Sequence, residues 1–173
     1  METFICLLKG INVGGNNRIK MDELKSLFSS LALENPRTYI QSGNIAFESA
    51  HDSNYLQEII FQSIQTKFSL TIHPILRTRH EWNEIIEKSP FSKKYDIEHL
   101  HLTLLETHPS IDMVNQIEVV KEEYALLGKE FYLACDLKYS DTKFSNSYIE
   151  KSFKTKATTR NWKTVLAIQN LLF

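Results

Sequence analysis

The sequence predicts an α+β protein: a ferredoxin-like βαββαβ first half followed by a second small α+β subdomain, with antiparallel sheets covered by helices. Three observations predict it. Up to about residue 80, short runs rich in β-branched and aromatic residues alternate with two amphipathic helical patterns in the order βαββαβ. Ser42-Gly43 and Gly128-Lys129 each join two strand-like runs, as hairpin turns do. A similar order of elements resumes after Ser89-Pro90, without any repeat of sequence. The first subdomain is placed at residues 1–79 and the second, with a C-terminal helix, at residues 80–173.

The elements follow in order. Residues 3–9 form a first strand, and Met21, Leu24, Leu27, Phe28 and Leu31 stand at helical spacing with Asp22 and Glu23 in the first turn. Asn35-Pro36 is expected to end that helix. Residues 37–41 and 44–47 flank the Ser42-Gly43 turn as strands. Leu56, Ile59, Ile60 and Ile64 mark a second helix opened by a cap between Asp52 and Asn54. Residues 71–77 read as a fourth strand. Thr78-Arg79-His80-Glu81 is a capping box that opens a third helix ending near Ser89-Pro90. Leu100, Leu102 and Leu104 alternate with His99, His101 and Thr103, the pattern of a half-buried strand. A helix from about Ser110, the hairpin of residues 124–127 and 130–134, and a helix over residues 146–153 come next. The final helix is expected to start at a Thr158 or Thr159 cap, with Trp162, Val165, Leu166 and Leu172 on one face.

Length and composition bound the function. With 173 residues, 42% hydrophobic and 24% charged, the chain can bury a full core. No run approaches the roughly 20 apolar residues of a membrane span. The first nine residues have no basic leader, so the expected location is cytoplasmic. Cys6 and Cys135 sit among apolar neighbours and read as buried thiols. The net charge of −1 hides an asymmetry: residues 81–141 carry 6 Lys+Arg against 13 Asp+Glu, and residues 142–173 carry 6 against 1. The basic tail interleaves Lys143, Lys151, Lys154, Lys156, Arg160 and Lys163 with Phe144, Tyr148, Phe153 and Trp162, a combination that suits single-stranded nucleic acid.

Three of the five glycines, Gly10, Gly14 and Gly15, fall within six residues after the first strand. Glycine clustered so closely serves a backbone that a Cβ would obstruct. The P-loop pattern needs Lys and Ser/Thr where Asn16 and Asn17 stand, and the dinucleotide fingerprint is absent. The segment therefore carries no P-loop nucleotide or dinucleotide signature, and no cofactor is named by it. Two readings stay open: a nest of backbone N–H groups for an anion, helped by Lys9, Arg18 and Lys20, or a tight connection whose glycines satisfy geometry alone. The topology brings this loop and the Ser42-Gly43 turn to the same end of the sheet. His99 and His101 lack a third ligand at metal-binding spacing and read as polar residues of a solvated face, so no metal site is expected. Neither cysteine has a basic neighbour, and no Gly-x-Ser-x-Gly elbow exists.

Several of these stretches together resemble the bacterial domain-of-unknown-function 1697 family. They are Lys9-Gly10-Ile11-Asn12-Val13-Gly14-Gly15, Met21 with Leu24, Arg37-Thr38-Tyr39-Ile40-Gln41-Ser42-Gly43-Asn44, and Thr158-Thr159-Arg160-Asn161-Trp162 with Thr164-Val165. The resemblance spans nearly the whole chain. It implies a cytoplasmic α+β protein with a ferredoxin-like first half and implies no activity. The chain departs from the family pattern where Lys138-Tyr139-Ser140 stand in place of a Gly-Tyr-Gly-like stretch, while Lys143 matches.

The resulting expectation is a site for a small anionic molecule, with or without catalysis. Gly14 and Gly15 would supply backbone donors, and Lys9, Arg18, Lys143 and Arg160 charge. Asn12, Gln41, Ser42, Asn44 and Asn161 would supply directional hydrogen bonds, and Trp162 a stacking wall. The alternatives are nucleic-acid binding through the basic C-terminal segment and an interaction module without a ligand.

Overall fold

A computed structural model describes residues 1–115, 117, 121–136 and 138–172. The chain divides into two compact units, Met1–Glu84 with Ala167–Phe173, and Ile85–Leu166.

The first unit contains β1 (Glu2–Leu8), α1 (Met21–Ser30), β2 (Glu34–Tyr39), β3 (Asn44–Ser49), α2 (Ser53–Phe68) and β4 (Pro74–Thr78). Its antiparallel sheet has the order β2-β3-β1-β4, the ferredoxin-like arrangement that the sequence predicts. Side chains alternate across a strand, so Phe4, Cys6 and Leu8 of β1 share one face. Phe4 lies opposite Phe47, and Cys6 opposite Ile45 and Leu76. That face packs on Leu24, Leu27 and Phe28 of α1 and on Leu56, Ile60 and Ile64 of α2. Phe28 meets Phe47 edge-on, with ring centroids 5.3 Å apart. Asp52 caps α2 by accepting from the Asn54 and Tyr55 N–H groups.

Two expectations shift here. Asn35-Pro36 does not end α1, which stops at Ser30. Both residues lie within β2, with Asn35 at φ 51° and the register shifting between Glu34 and Arg37. Proline is tolerated because β2 is an edge strand and its N–H need not pair. The fourth strand starts at Pro74 rather than at residue 71.

α3 (Arg79–Glu87) opens on the predicted capping box: Thr78 N–H donates to Glu81 Oε2 at 2.7 Å, and Glu81 N–H to Thr78 Oγ1 at 3.1 Å. The division between the units falls within this helix.

The second unit contains β5 (Leu100–Leu105), α4 (Ile111–Asn115), β6 (Glu123–Leu127), β7 (Glu130–Ala134), α5 (Asn146–Phe153) and β8 (Ala157–Asn161). Its sheet order is β6-β7-β5-β8, so the second half repeats the βαββαβ arrangement of the first. The likeness reaches single bonds. Leu8 N–H, at the end of β1, donates to the Gly43 carbonyl in the β2–β3 turn, and Leu105 N–H, at the end of β5, donates to Lys129 in the β6–β7 turn. Phe131, Leu133, Phe144, Ile149 and Phe153 form the core of this unit. Cys6 and Cys135 are both buried as thiols.

The last helix, α6 (Trp162–Gln169), starts later than predicted. Thr158 and Thr159 lie in β8, paired with Leu104 and Thr103 of β5. Their β-branched side chains suit a strand, and Asn161 caps the helix instead, its Oδ1 accepting from Thr164 N–H at 2.8 Å. Among the described residues no helix is long and apolar enough to cross a membrane.

Candidate functional site

The glycine loop of the first unit is a small hairpin. Gly14 and Gly15 have φ of 59° and 80°, and Asn16 N–H donates to Val13 O at 3.0 Å. Positive φ at both central residues is the type I′ turn, which glycine enters without strain. Asn17, at φ 46°, accepts from Asn12 N–H through its carbonyl and donates from Nδ2 to Gly10 O at 3.1 Å. The loop thus holds its own shape. The N–H groups of Gly14 and Gly15 have no partner among the described residues.

Asn12 joins this loop to the β2–β3 turn. Its Nδ2 donates to Ile19 O and to Gln41 O, both at 2.9 Å, and its Oδ1 accepts from Ile19 N–H at 2.9 Å. The convergence of loop and turn expected from topology is therefore made by one asparagine side chain. Gly43 serves packing: a Cβ there would lie 2.8 Å from Leu8 Cβ and 2.9 Å from Ile11 Cδ1. Asn44 is fully buried and donates to Tyr39 O and Ser42 Oγ, so its amide and the Ser42 hydroxyl shape the turn.

Between loop and turn lies an open groove of about 470 Å³, lined by Asn12, Gly15, Arg18, Ile19, Lys20, Glu23 and Gln41. The Arg18 guanidinium and the Gln41 carboxamide are exposed and have no partner among the described residues. Lys20 approaches Glu23 only to 4.0 Å, with both side chains at least half exposed, a pair worth little. Lys20 is also the N-cap of α1 and makes no side-chain cap bond. Lys9 is half-buried beside this loop.

The other predicted site residues belong to the second unit, where each has a local task. Arg160 Nη1 donates to Thr158 Oγ1 at 2.8 Å and to Thr159 O at 2.9 Å. Lys143 lies over the Tyr148 ring at 5.3 Å. Asn161 caps α6. Trp162 is 2% exposed and packs against Tyr132, so it presents no face for stacking a ligand. Phe144 and Phe153 are buried as well, which removes three of the four aromatics that the basic tail would need for base stacking.

A second polar cluster has no local signature in the sequence. Thr159 Oγ1 donates to Asn146 Oδ1 at 2.8 Å, lies 2.7 Å from Thr103 Oγ1 and accepts from Tyr139 OH at 3.0 Å. Burial raises the Tyr139 pKa above 10.0, which keeps the phenol a donor. The His101 ring stacks on Tyr139 with centroids 4.8 Å apart, and its Nδ1 is buried without a hydrogen-bond partner. His101 is thus half-buried rather than part of a solvated face. His99 lies in the 3-10 turn before β5, with Nδ1 3.3 Å from Cys135 O. Among the described residues no three His, Cys, Asp or Glu side chains are grouped to hold a metal ion.

Burial pushes the His101 pKa below 6.5. The unfolded chain therefore takes up this proton at a higher pH than the folded chain does. The stabilising contribution of neutral His101 is present above about pH 6.5 and is lost as pH falls through the folded-state value. Urea unfolding from about pH 8 to about pH 5 should show this loss, and His101→Gln should flatten it. An unchanged slope in the variant contradicts the assignment.

The comparisons with known proteins agree with this architecture. The family model described as "Protein of unknown function (DUF1697)" matches residues 1–132. The solved structure of the conserved bacterial protein SP0830 from Streptococcus pneumoniae is similar over 99% of this chain and 99% of that chain, with a TM-score of 0.78 and 24% identity. At that identity the likeness shows the fold. No curated protein matches the chain. The family match covers both hairpin loops and most of the elements described above, and the chain belongs to the DUF1697 family of proteins of unknown function.

Proposed function

We propose that the groove of the first unit binds a small anionic ligand. The observation that carries this reading is Arg18: an exposed guanidinium with no partner among the described residues, lining the same groove as the unengaged Gln41 carboxamide. Arginine is the side chain best suited to carboxylate or phosphate, through two parallel N–H donors. Gly14 and Gly15 add unpaired N–H groups at the turn beside it.

Loop length supports the same reading. In the second unit, residues 106–110 suffice to connect the first strand to the first helix, whereas in the first unit the same connection takes residues 9–20. The fold does not need the longer loop, and surplus ordered loop is where binding residues concentrate.

The test is titration of the ¹⁵N-labelled protein with inorganic phosphate and with acetate. Resonances of Gly14, Gly15 and the Gln41 side-chain amide should move. Arg18→Ala should weaken binding by about tenfold or more, near 1.4 kcal/mol, because a charge-assisted contact is lost. Its unfolding midpoint should stay unchanged, since the exposed side chain stabilises nothing in the fold. A lower midpoint with unchanged binding would make Arg18 structural and remove the reading.

A further inference from the structure

We infer that the ligand of this groove is an amphipathic monoanion: a single carboxylate carried on an acyl or aryl body. The inference rests on the anion-binding reading and adds the ligand class. Two observations carry it, one electrostatic and one apolar.

The groove lining contains two cations, Arg18 and Lys20, and one carboxylate, Glu23. Its formal balance is one positive charge, which matches one carboxylate and not a polyphosphate of three or four charges.

The apolar observation concerns Val13 and Ile40, which are 61% and 52% exposed. Each is the chain neighbour of a groove residue, Val13 of Asn12 on the loop and Ile40 of Gln41 on the turn. Scattered exposed apolar residues are ordinary, but Ile40 is unusual in a second way. Its φ is 48°, in the left-handed region where a β-branched side chain is a true outlier. Glycine or asparagine would take this conformation with less strain, and the turn keeps an isoleucine that contributes little burial. Strain retained next to a groove residue, with an apolar group facing water, fits a surface that is covered when ligand binds. The carboxylate then meets Arg18 and the Gln41 amide, and the apolar body lies along Val13 and Ile40.

The experiment uses the full chain and four probes: acetate, octanoate, phenylacetate and Mg-ATP, each titrated by NMR with ¹³C-methyl labels on Val and Ile. Octanoate or phenylacetate should bind at least about tenfold tighter than acetate and shift the Val13 and Ile40 methyls. Ile40→Gly should bring octanoate to the acetate level and leave acetate unchanged, while raising the unfolding midpoint through relief of the positive φ. Val13→Ser, at a position where no conformational strain is relieved, should reduce octanoate binding in the same direction. Equal affinity for acetate and octanoate overturns the inference and leaves the anion reading standing. Tightest binding of Mg-ATP also overturns it. Octanoate binding that survives Arg18→Ala, or no response to any probe, overturns the anion reading itself.

Discussion

Gly43→Ala is expected to destabilise the first unit by about 2–5 kcal/mol, and Gly14→Ala by only about 1 kcal/mol. Both glycines have positive φ, 73° and 59°. A left-handed conformation costs a non-glycine residue roughly 1–2 kcal/mol, so both variants carry that term. They differ in what the new methyl meets. At Gly14 nothing lies within 4 Å. At Gly43 the methyl would lie 2.8 Å from Leu8 Cβ and 2.9 Å from Ile11 Cγ1 and Cδ1. Leu8 and Ile11 are fully buried, and a Cβ cannot be moved by a rotamer change. Overpacking of this kind adds roughly 1–3 kcal/mol. The turn would have to back away and lose the Leu8 N–H to Gly43 O bond at 2.8 Å. Amide hydrogen exchange in β1 and β3 measures the effect in this unit alone. Equal protection in the two variants would show that conformation, not packing, sets the need for Gly43.

The same comparison shows what the sequence could reveal. A clustered glycine signals a backbone that resists a side chain, and that much was legible. The reason was not. Gly14 and Gly15 need only their dihedral angles, and Gly43 needs space against Leu8 and Ile11, some 30 residues away in the chain. Signals confined to three or four residues hold in the structure: the Thr78–Glu81 box and the Gly128-Lys129 turn. Signals whose meaning depends on a partner strand mislead when taken alone. Pro36 looks like a helix stop until β2 is known to be an edge, and Thr158 looks like a helix cap until β5 pairs with it. The site followed the same rule. Residue type points to Arg18 and Gln41, but the side chain that joins their segments is Asn12, whose residue type suggests only a ligand donor. The Trp162 ring suggests a stacking wall, and tertiary packing buries it. The Tyr139–Thr159–Asn146 network joins three elements and has no local signature at all.

Asn12→Ala is the second large effect, expected to cost about 2–4 kcal/mol of local stability and to release the loop without unfolding the sheet. Asn12 has φ of 55°, which asparagine tolerates and alanine resists. Its side chain also makes three hydrogen bonds, to Ile19 N–H, Ile19 O and Gln41 O. Each is worth about 0.5–1.5 kcal/mol, with the half-buried Ile19 pair at the upper end because Ile19 itself is 3% exposed and its backbone would be left without replacement partners. Two further variants separate the terms. Asn12→Gly keeps the left-handed backbone and loses all three bonds, so it should cost less than alanine by about the conformational term. Asn12→Asp keeps an acceptor for Ile19 N–H but sets a carboxylate against two carbonyl oxygens, so it should be no better than glycine at neutral pH. Faster amide exchange at Ile19 and through residues 12–17, with β1 and β3 still protected, is the expected signature. The functional consequence follows from geometry. Once Asn12 no longer holds the loop to Gln41, Arg18 and the Gln41 amide are not kept on one groove, and acetate and octanoate should weaken together. Alanine and glycine variants that exchange like the natural protein would mean that the loop is held by its own hairpin bonds, and that the groove does not depend on this asparagine.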